Sequence, residues 1–443
     1  MPFRTIPDTA IQYGLISFDA QGVERTADPD GRNGQMSRRL VELAAGGAFT
    51  NIFFFSHGWR GDIPAAIDQY NRWIRAFATL TPDREQAAQH FPGFRPLYIG
   101  LHWPSEPWGD EELGGAHFGI EEGGLGAEGL FQRYLDRLGD TPAIRTALGV
   151  IIAEARRNAA ADSLTDRARQ AYFDLEKALA LGSGDVGATP DADQDPFDPD
   201  ATFENNTDEG SAFGDFSWSG FLAPLRQLSY WTMKKRARTV GESGMHAFVK
   251  ELQRVTAIQG TRIHLMGHSF GCIVVSSILG GPGGQAPLER PIDSVVLVQG
   301  ALSLWSYSAA IPFDGLGPGY FYRLIQDGKV QGPLVTTRSR YDRAVGEFYP
   351  WASRVVSEVA FAPGEFPKYG AIGAFGLQGL PDAMRTERPM LPAHGEYGFA
   401  KGHLYNLEAS QFIFKGEGAS GAHSDIDGPE VAHTLWQAAF ASV

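Results

Sequence analysis

Ser269 stands between two glycines in Gly267-His268-Ser269-Phe270-Gly271, after the apolar run RIHLM (262–266) and before a second apolar run at 271–279. A serine hydroxyl becomes a nucleophile only when a base takes its proton and a third group orients that base. Glycines on either side let a strand turn sharply into a helix and lift the hydroxyl clear of the backbone. With 54 glycines in 443 residues, a glycine-rich corner holding an idle serine is the competing reading of the same five residues. The partners decide between them.

An acid and a base both follow in the chain. After GPLVTTR (332–338) comes SRYDRAV, which puts Asp342 just past a β-branched run. After HLYNLEA (403–409) come Gly421-Ala422-His423-Ser424 and then Pro429-Glu430-Val431, a helix start. Asp342 could instead pair with Arg340 or Arg343, and Asp314 is the rival acid. His394, His403 and His433 are the other histidines to weigh. His403 falls inside a strand pattern and His433 inside a helix, which suits packing or surface roles, while Asp425 and Asp427 suit local loop contacts. Upstream, TNIFFF (50–55) leads into Ser56-His57-Gly58-Trp59.

These residues all end β-like runs. TNIFFF (50–55), FRPLYIGLHW (94–103), RIHLM (262–266), IDSVVLVQG (292–300), GPLVTTR (332–338) and HLYNLEA (403–409) alternate with helical patterns, including 64–80 and 271–279. That alternation predicts an α/β fold with a mostly parallel central sheet flanked by helices. From Ser105 to about Arg238 the rhythm stops, with helical stretches at 142–181 and 224–238. Residues 185–215 carry ten acidic side chains and no Lys or Arg, which predicts a solvated loop dispensable for folding. Residues 104–240 therefore read as a largely helical cap inserted into a core made of 1–103 and 241–443. A Gly- and Pro-rich excursion at 363–402 interrupts the end of the sheet.

The strand, the Gly267–Gly271 turn and the helix after it resemble the nucleophile elbow of the α/β-hydrolase superfamily. The order serine, acid, histidine at three strand ends matches that family's order as well. The resemblance spans roughly 10–103 and 241–443. It implies Ser269 as nucleophile, His423 as base and Asp342 as the acid that orients it. It also implies an oxyanion hole from the backbone N–H groups of Phe270 and Trp59. The activity implied is that of a serine hydrolase, esterase- or lipase-like, cleaving a small-molecule carboxylic ester through an acyl-enzyme without a cofactor. Amide, peptide, thioester and lactone substrates use the same apparatus, and a non-catalytic binding protein of the same fold is the rival from another class. The insertion precedes the nucleophile strand, where the common family cap does not, so cap-derived substrate rules do not transfer.

Substrate-lining candidates are Trp103, Trp108, Trp218 and Phe221, with the Gly-rich YGAIGAFGLQGL (369–380), as an acyl pocket or a lid that meets a lipid–water interface. Asp191, Asp193 and Asp195 imitate a calcium-loop start, but Pro196 stands where the glycine should be, so no metal is expected. Lys234, Lys235, Arg236 and Arg238 read as a solvated helix end facing the acidic stretch. A net charge of −14 argues against nucleic acid as partner. Cys272 is the only cysteine, so neither an internal disulfide nor a Cys-based zinc site can form. The N-terminus has no charged and apolar leader pattern, which gives a cytoplasmic expectation.

Overall fold

The computed structural model describes residues 3–26, 34–47, 49–59, 63–105, 127–158, 162–182, 187–208, 219–313, 315–348, 366–416 and 420–442. Among them the strands are β1 (Phe3–Thr5), β2 (Gln12–Ser17), β3 (Asn51–Ser56), β4 (Pro96–His102), β5 (Arg262–His268), β6 (Ser294–Val298), β7 (Leu334–Arg338), β8 (Arg385–Pro389) and β9 (Leu404–Glu408). They form one sheet in the order β1-β2-β4-β3-β5-β6-β7-β9-β8. Only β1 on β2 is antiparallel; every other pairing is parallel.

A parallel strand covered on both faces must be apolar on both, and β3 (NIFFFS) is buried along its whole length. Its alternate residues serve two separate cores. Phe54 packs with helices α1 (Met36–Ala45), α9 (His246–Val255) and α10 (Gly271–Gly280) on one face. Phe53 and Phe55 pack with α2 (Ile63–Thr79), α3 (Thr81–His90) and the C-terminal helix Pro429–Phe440 on the other. Phe77 stacks on Trp436 at 4.0 Å to close that second layer.

The strand order reverses at β3, with β4 on one side and β5 on the other. The helix after β3 covers one face and the helix after β5 covers the opposite face. The two turns therefore diverge and leave a crevice at the carboxyl ends of the strands, the usual place for a ligand site in such sheets.

The segment between β4 and β5 has a core of its own. It is built by α4 (Ala127–Leu138), α5 (Pro142–Arg157), α6 (Asp166–Leu179), α7 (Pro199–Asp208) and the first half of α8 (Ser219–Val240). Threonine side chains cap two of these helices: Thr141 Oγ1 accepts from Ile144 N–H, and Thr165 Oγ1 from Ala168 N–H. Helix α8 belongs to both cores, since Phe221, Leu225 and Leu228 lie in the insertion and Tyr230, Trp231, Met233 and Ala237 in the main one. A continuous helix, α8, ties the insertion to the main core.

Two expectations are corrected in this region. The described part of the acidic stretch is not a solvated loop: Ala188, Thr189, Asp191, Ala192, Asp193 and Gln194 are buried, and 199–208 is helical. A counterion and a hydroxyl donor hold two of the carboxylates of this stretch. Asp191 pairs with Arg238 at 2.8 Å, and Asp195 accepts from the Tyr369 hydroxyl at 2.9 Å. Nor is the basic cluster a solvated helix end, for Lys234 is 0% exposed and lies 4.3 Å over the Trp231 ring. Burial pulls its ammonium down to about 7, against the opposing pull of Asp193 and Asp191. A third difference lies at the sheet edge. The Gly- and Pro-rich excursion holds β8, whose sequence RTERP is charged and half-exposed, as suits an edge strand.

Candidate active site

Strand β5 runs into Ser269 and leaves as α10. Ser269 takes φ +55°, the left-handed region that an L-residue enters only under constraint. The flanking glycines make the turn sterically feasible. A Cβ on Gly267 would come 2.5 Å from the Gly271 carbonyl oxygen, and one on Gly271 would come 2.3 Å from the Ser56 carbonyl oxygen. Backbone bonds to the neighbouring strand hold the strained residue, with Ser269 N–H donating to Val298 O and Ala301 N–H to Ser269 O, both at 3.2 Å. The residue is 3% exposed, directly after the carboxyl end of β5.

Asp342 and His423 meet at the ends of β7 and β9. His423 Nδ1 lies 2.8 Å from Asp342 Oδ2. Because the carboxylate only accepts, this nitrogen carries the proton, and the Nε2 lone pair is left to act as a base. The two loops are laced together by a bridge between Asp342 and Gly421 and by Ala422 N–H donating to Tyr341 O at 2.8 Å. The Asp342 side chain is fully buried, and three donors replace its lost water: His423 Nδ1–H, Gln299 Nε2–H at 2.7 Å and Val345 N–H at 3.2 Å.

Ser269 is joined to this pair through its neighbour. His268 Nε2 lies 2.8 Å from the His423 carbonyl oxygen, and the two imidazoles are 4.7 Å apart. The carbonyl only accepts, so His268 donates from Nε2 and can accept at Nδ1 from Gln69, 3.5 Å away. Ser269 Oγ makes no hydrogen bond to His423 here. Such contacts often tighten only when substrate is bound.

Phe270 opens α10 at its N-terminus, and its ring stacks on Trp59 at 5.7 Å. The turn carrying Trp59 is held from below. Trp103 N–H donates to His57 Nε2 at 3.3 Å, so His57 is protonated on Nδ1, which lies 2.7 Å from the Gly58 carbonyl oxygen. Ser105 Oγ–H donates to the same carbonyl at 3.0 Å. The Gly58–Trp59 peptide is trans, so pinning its oxygen on this side turns the Trp59 N–H to the other. Tyr70 completes the support, accepting from His57 N–H at 2.8 Å and donating to the Leu101 carbonyl.

Of the expected substrate-lining residues, two lie elsewhere. Trp103 is fully buried, stacked on His57 at 5.7 Å with its indole N–H on the His57 carbonyl; it is a buttress beneath the turn. Phe221 is buried in the insertion's own core, where its carbonyl accepts from Tyr172. An aromatic looks the same in sequence whether it lines a pocket or fills a core, so sequence alone does not separate the two. Trp108, Trp218 and Asp314 lie outside the described residues. The YGAIGAFGLQGL stretch packs inward, with Tyr369, Ala371, Ile372 and Leu377 buried. His433 makes a buried pair with Asp83 at 2.8 Å on the far helical layer. His403 Nε2 faces the Thr386 hydroxyl of β8 at 2.8 Å, and Asp427 pairs with Arg72 at 3.0 Å. Sequence reasoning missed Gln299, Ser105 and the contact made by His268, since a lone amide or hydroxyl carries no spacing signal.

A family model described as alpha/beta hydrolase matches residues 200–309, which include α8, β5, the Ser269 elbow and β6. No curated protein and no solved structure matches the chain. No described helix is long and apolar enough to cross a membrane, and no described group of three or more His, Cys, Asp or Glu side chains is arranged to hold a metal ion. The parallel sheet and the strand order that reverses at β3 are those of an α/β-hydrolase fold, and the match across the elbow supports membership of that superfamily.

Proposed function

We propose that the protein is a serine hydrolase that cleaves small-molecule carboxylic esters through Ser269, His423 and Asp342. The observation that carries this reading is the left-handed Ser269 at the end of β5, with a His423–Asp342 pair at 2.8 Å across the same strand ends. In the first step His423 Nε2 takes the Ser269 proton as the oxygen attacks the carbonyl carbon. Asp342 stabilises the imidazolium, and the N–H groups of Phe270 and Trp59 receive the oxyanion. Collapse of the intermediate expels the alcohol, which takes its proton from His423. Water, activated by the same histidine, then releases the acid and frees the serine.

Pre-steady-state hydrolysis of p-nitrophenyl esters of graded chain length tests the proposal. A burst of one nitrophenolate per active site, absent from Ser269→Ala, is the expected result. Equal or faster turnover of matched amides would move the substrate class to amides. Equal rates on emulsified and monomeric esters would remove the lipid-interface reading. The unmade Ser269–His423 hydrogen bond favours one rival, a binding protein that keeps the fold and does not cut. The absence of a burst with every ester and amide would select it.

A further inference from the structure

The Asp342 oxygen that faces His423 has a second donor. Gln299 directly follows β6, is fully buried and holds φ +45°, an uncommon conformation for a glutamine. Its backbone leaves it little choice. Its N–H donates to Thr337 Oγ1 at 3.0 Å, and Gly373 packs so close that a Cβ there would come 2.8 Å from the Gln299 carbonyl carbon.

Its side chain is equally fixed. Nε2 donates to Asp342 Oδ2 at 2.7 Å and to the Gly373 carbonyl at 3.2 Å. Oε1 accepts from the Thr337 hydroxyl at 2.9 Å. The amide orientation follows from these partners, not from its outline. Both atoms facing Nε2 are acceptors without a proton, whereas the Thr337 oxygen already accepts the Gln299 N–H and so turns its own proton to Oε1. A flipped amide would set oxygen against two acceptors and leave the Thr337 proton unused.

We infer that Gln299 is a positioning residue for the acid. It locks the plane of the Asp342 carboxylate so that Oδ2 stays aimed at His423 Nδ1 and the Nε2 lone pair stays aimed toward Ser269. The inference rests on the triad proposed above. Gln299 touches no reacting atom and takes no proton; it donates in the same way before, during and after proton transfer. The titratable groups facing it are Asp342, on the loop after β7, and beyond Asp342 the ring of His423, on the loop after β9. Thr337 and the Gly373 carbonyl bring no charge.

Substituting Gln299→Leu removes the donor, and Gln299→Glu keeps the shape while making the donor depend on pH. A protonated glutamic acid can give its O–H to Oδ2, but an ionised one sets a second carboxylate against Asp342. The experiment measures kcat, KM and the rate of fluorophosphonate labelling of Ser269 for the wild type and both variants between about pH 5.5 and 9, with thermal melts of each. Gln299→Leu is expected to lose about 10- to 100-fold in kcat and labelling rate with KM unchanged, the size of one lost hydrogen bond to a charged group. Gln299→Glu is expected to approach the wild type at the acid end and fall away from it as pH rises.

A folded Gln299→Leu that labels at the wild-type rate would overturn the inference. So would a Gln299→Glu whose ratio to the wild type stays constant across pH, which is what a merely structural role would produce. If Gln299→Leu does not fold, the near-isosteric Glu variant carries the test alone. A His423→Ala variant labelled as fast as the wild type would mark a failure of the triad itself, separately from that of Gln299.

Discussion

Gly58→Ala is the substitution whose effect follows most directly from the geometry. A Cβ at position 58 would stand 2.5 Å from Ser269 Cβ, 3.0 Å from the His268 carbonyl oxygen and 3.1 Å from Ser269 Oγ, where ordinary contacts begin at 3.4 Å. Relief needs about 0.9 Å of separation from Ser269 Cβ, and neither side is free to give it. Ser269 is tied at both its N–H and its carbonyl, and the Gly58 carbonyl is pinned by His57 and Ser105. Overpacking of this kind costs about 1–3 kcal/mol of stability. Displacing a nucleophile or an oxyanion donor by about 1 Å costs about 100-fold in rate. The assay is the fluorophosphonate labelling rate at Ser269, read beside a chemical denaturation curve. A variant that stays folded, loses about 1–3 kcal/mol and labels about 100-fold more slowly is the expected outcome. Labelling within a few-fold of wild type at unchanged stability would refute the placement of the Trp59 turn over Ser269.

Other outcomes follow from the same contacts. Ser269→Ala keeps the left-handed strain and should melt close to wild type, whereas Ser269→Gly releases it and should melt higher than Ser269→Ala while being equally inactive. His433 sets both ring nitrogens against acceptors, Asp83 and the Gly395 carbonyl. Burial would lower its pKa, but these partners outweigh it and raise it above the ordinary 6.5. Its contribution is therefore full below about pH 6.5 and fades as pH climbs through the raised value, so the stability gap between wild type and His433→Gln should shrink from about pH 6 to pH 9. His264 behaves oppositely. Burial holds it down to about 4, between Ser294 and Asn51, so stability on the order of 3 kcal/mol should be lost as pH falls from about 6.5 to 4, and His264→Leu should flatten that acid limb. Deleting 187–212 should take Asp191 and Asp193 away from Arg238 and Lys234 and uncover Leu304 and Trp305, giving aggregated or strongly destabilised protein; a soluble product with a wild-type melt would contradict this.

What the chain disclosed before its structure was of two kinds. Strands β3, β5, β6 and β7 are buried on both faces and so read as apolar runs, and turns at their ends mark where Ser269, Trp59 and Asp342 sit. Edge strands obey the opposite rule. RTERP of β8, at one edge, has no apolar run to detect. QYGLIS of β2 lies inside the sheet between β1 and β4 and is buried from Tyr13 to Ser17, but Gln12, Gly14 and Ser17 leave it no long apolar run. The acidic stretch misled because composition counts charges without their partners. Asp191 is buried against Arg238, which is 47 residues further along the chain, and no local pattern encodes that meeting. Gln299 and Thr337 are invisible for the same reason, since a hydrogen-bond network across two strands leaves no spacing in either. The aromatic candidates failed because Trp103 and Phe221 satisfy core and pocket criteria equally until their neighbours are known.

The measurement that tests the central claim most directly is covalent labelling of the folded protein with a fluorophosphonate, followed by mapping of the modified peptide. The account predicts label on the peptide carrying Ser269 in the wild type and none there in Ser269→Ala. Folded wild-type protein that takes no label at Ser269, or that is labelled at another residue, would contradict it.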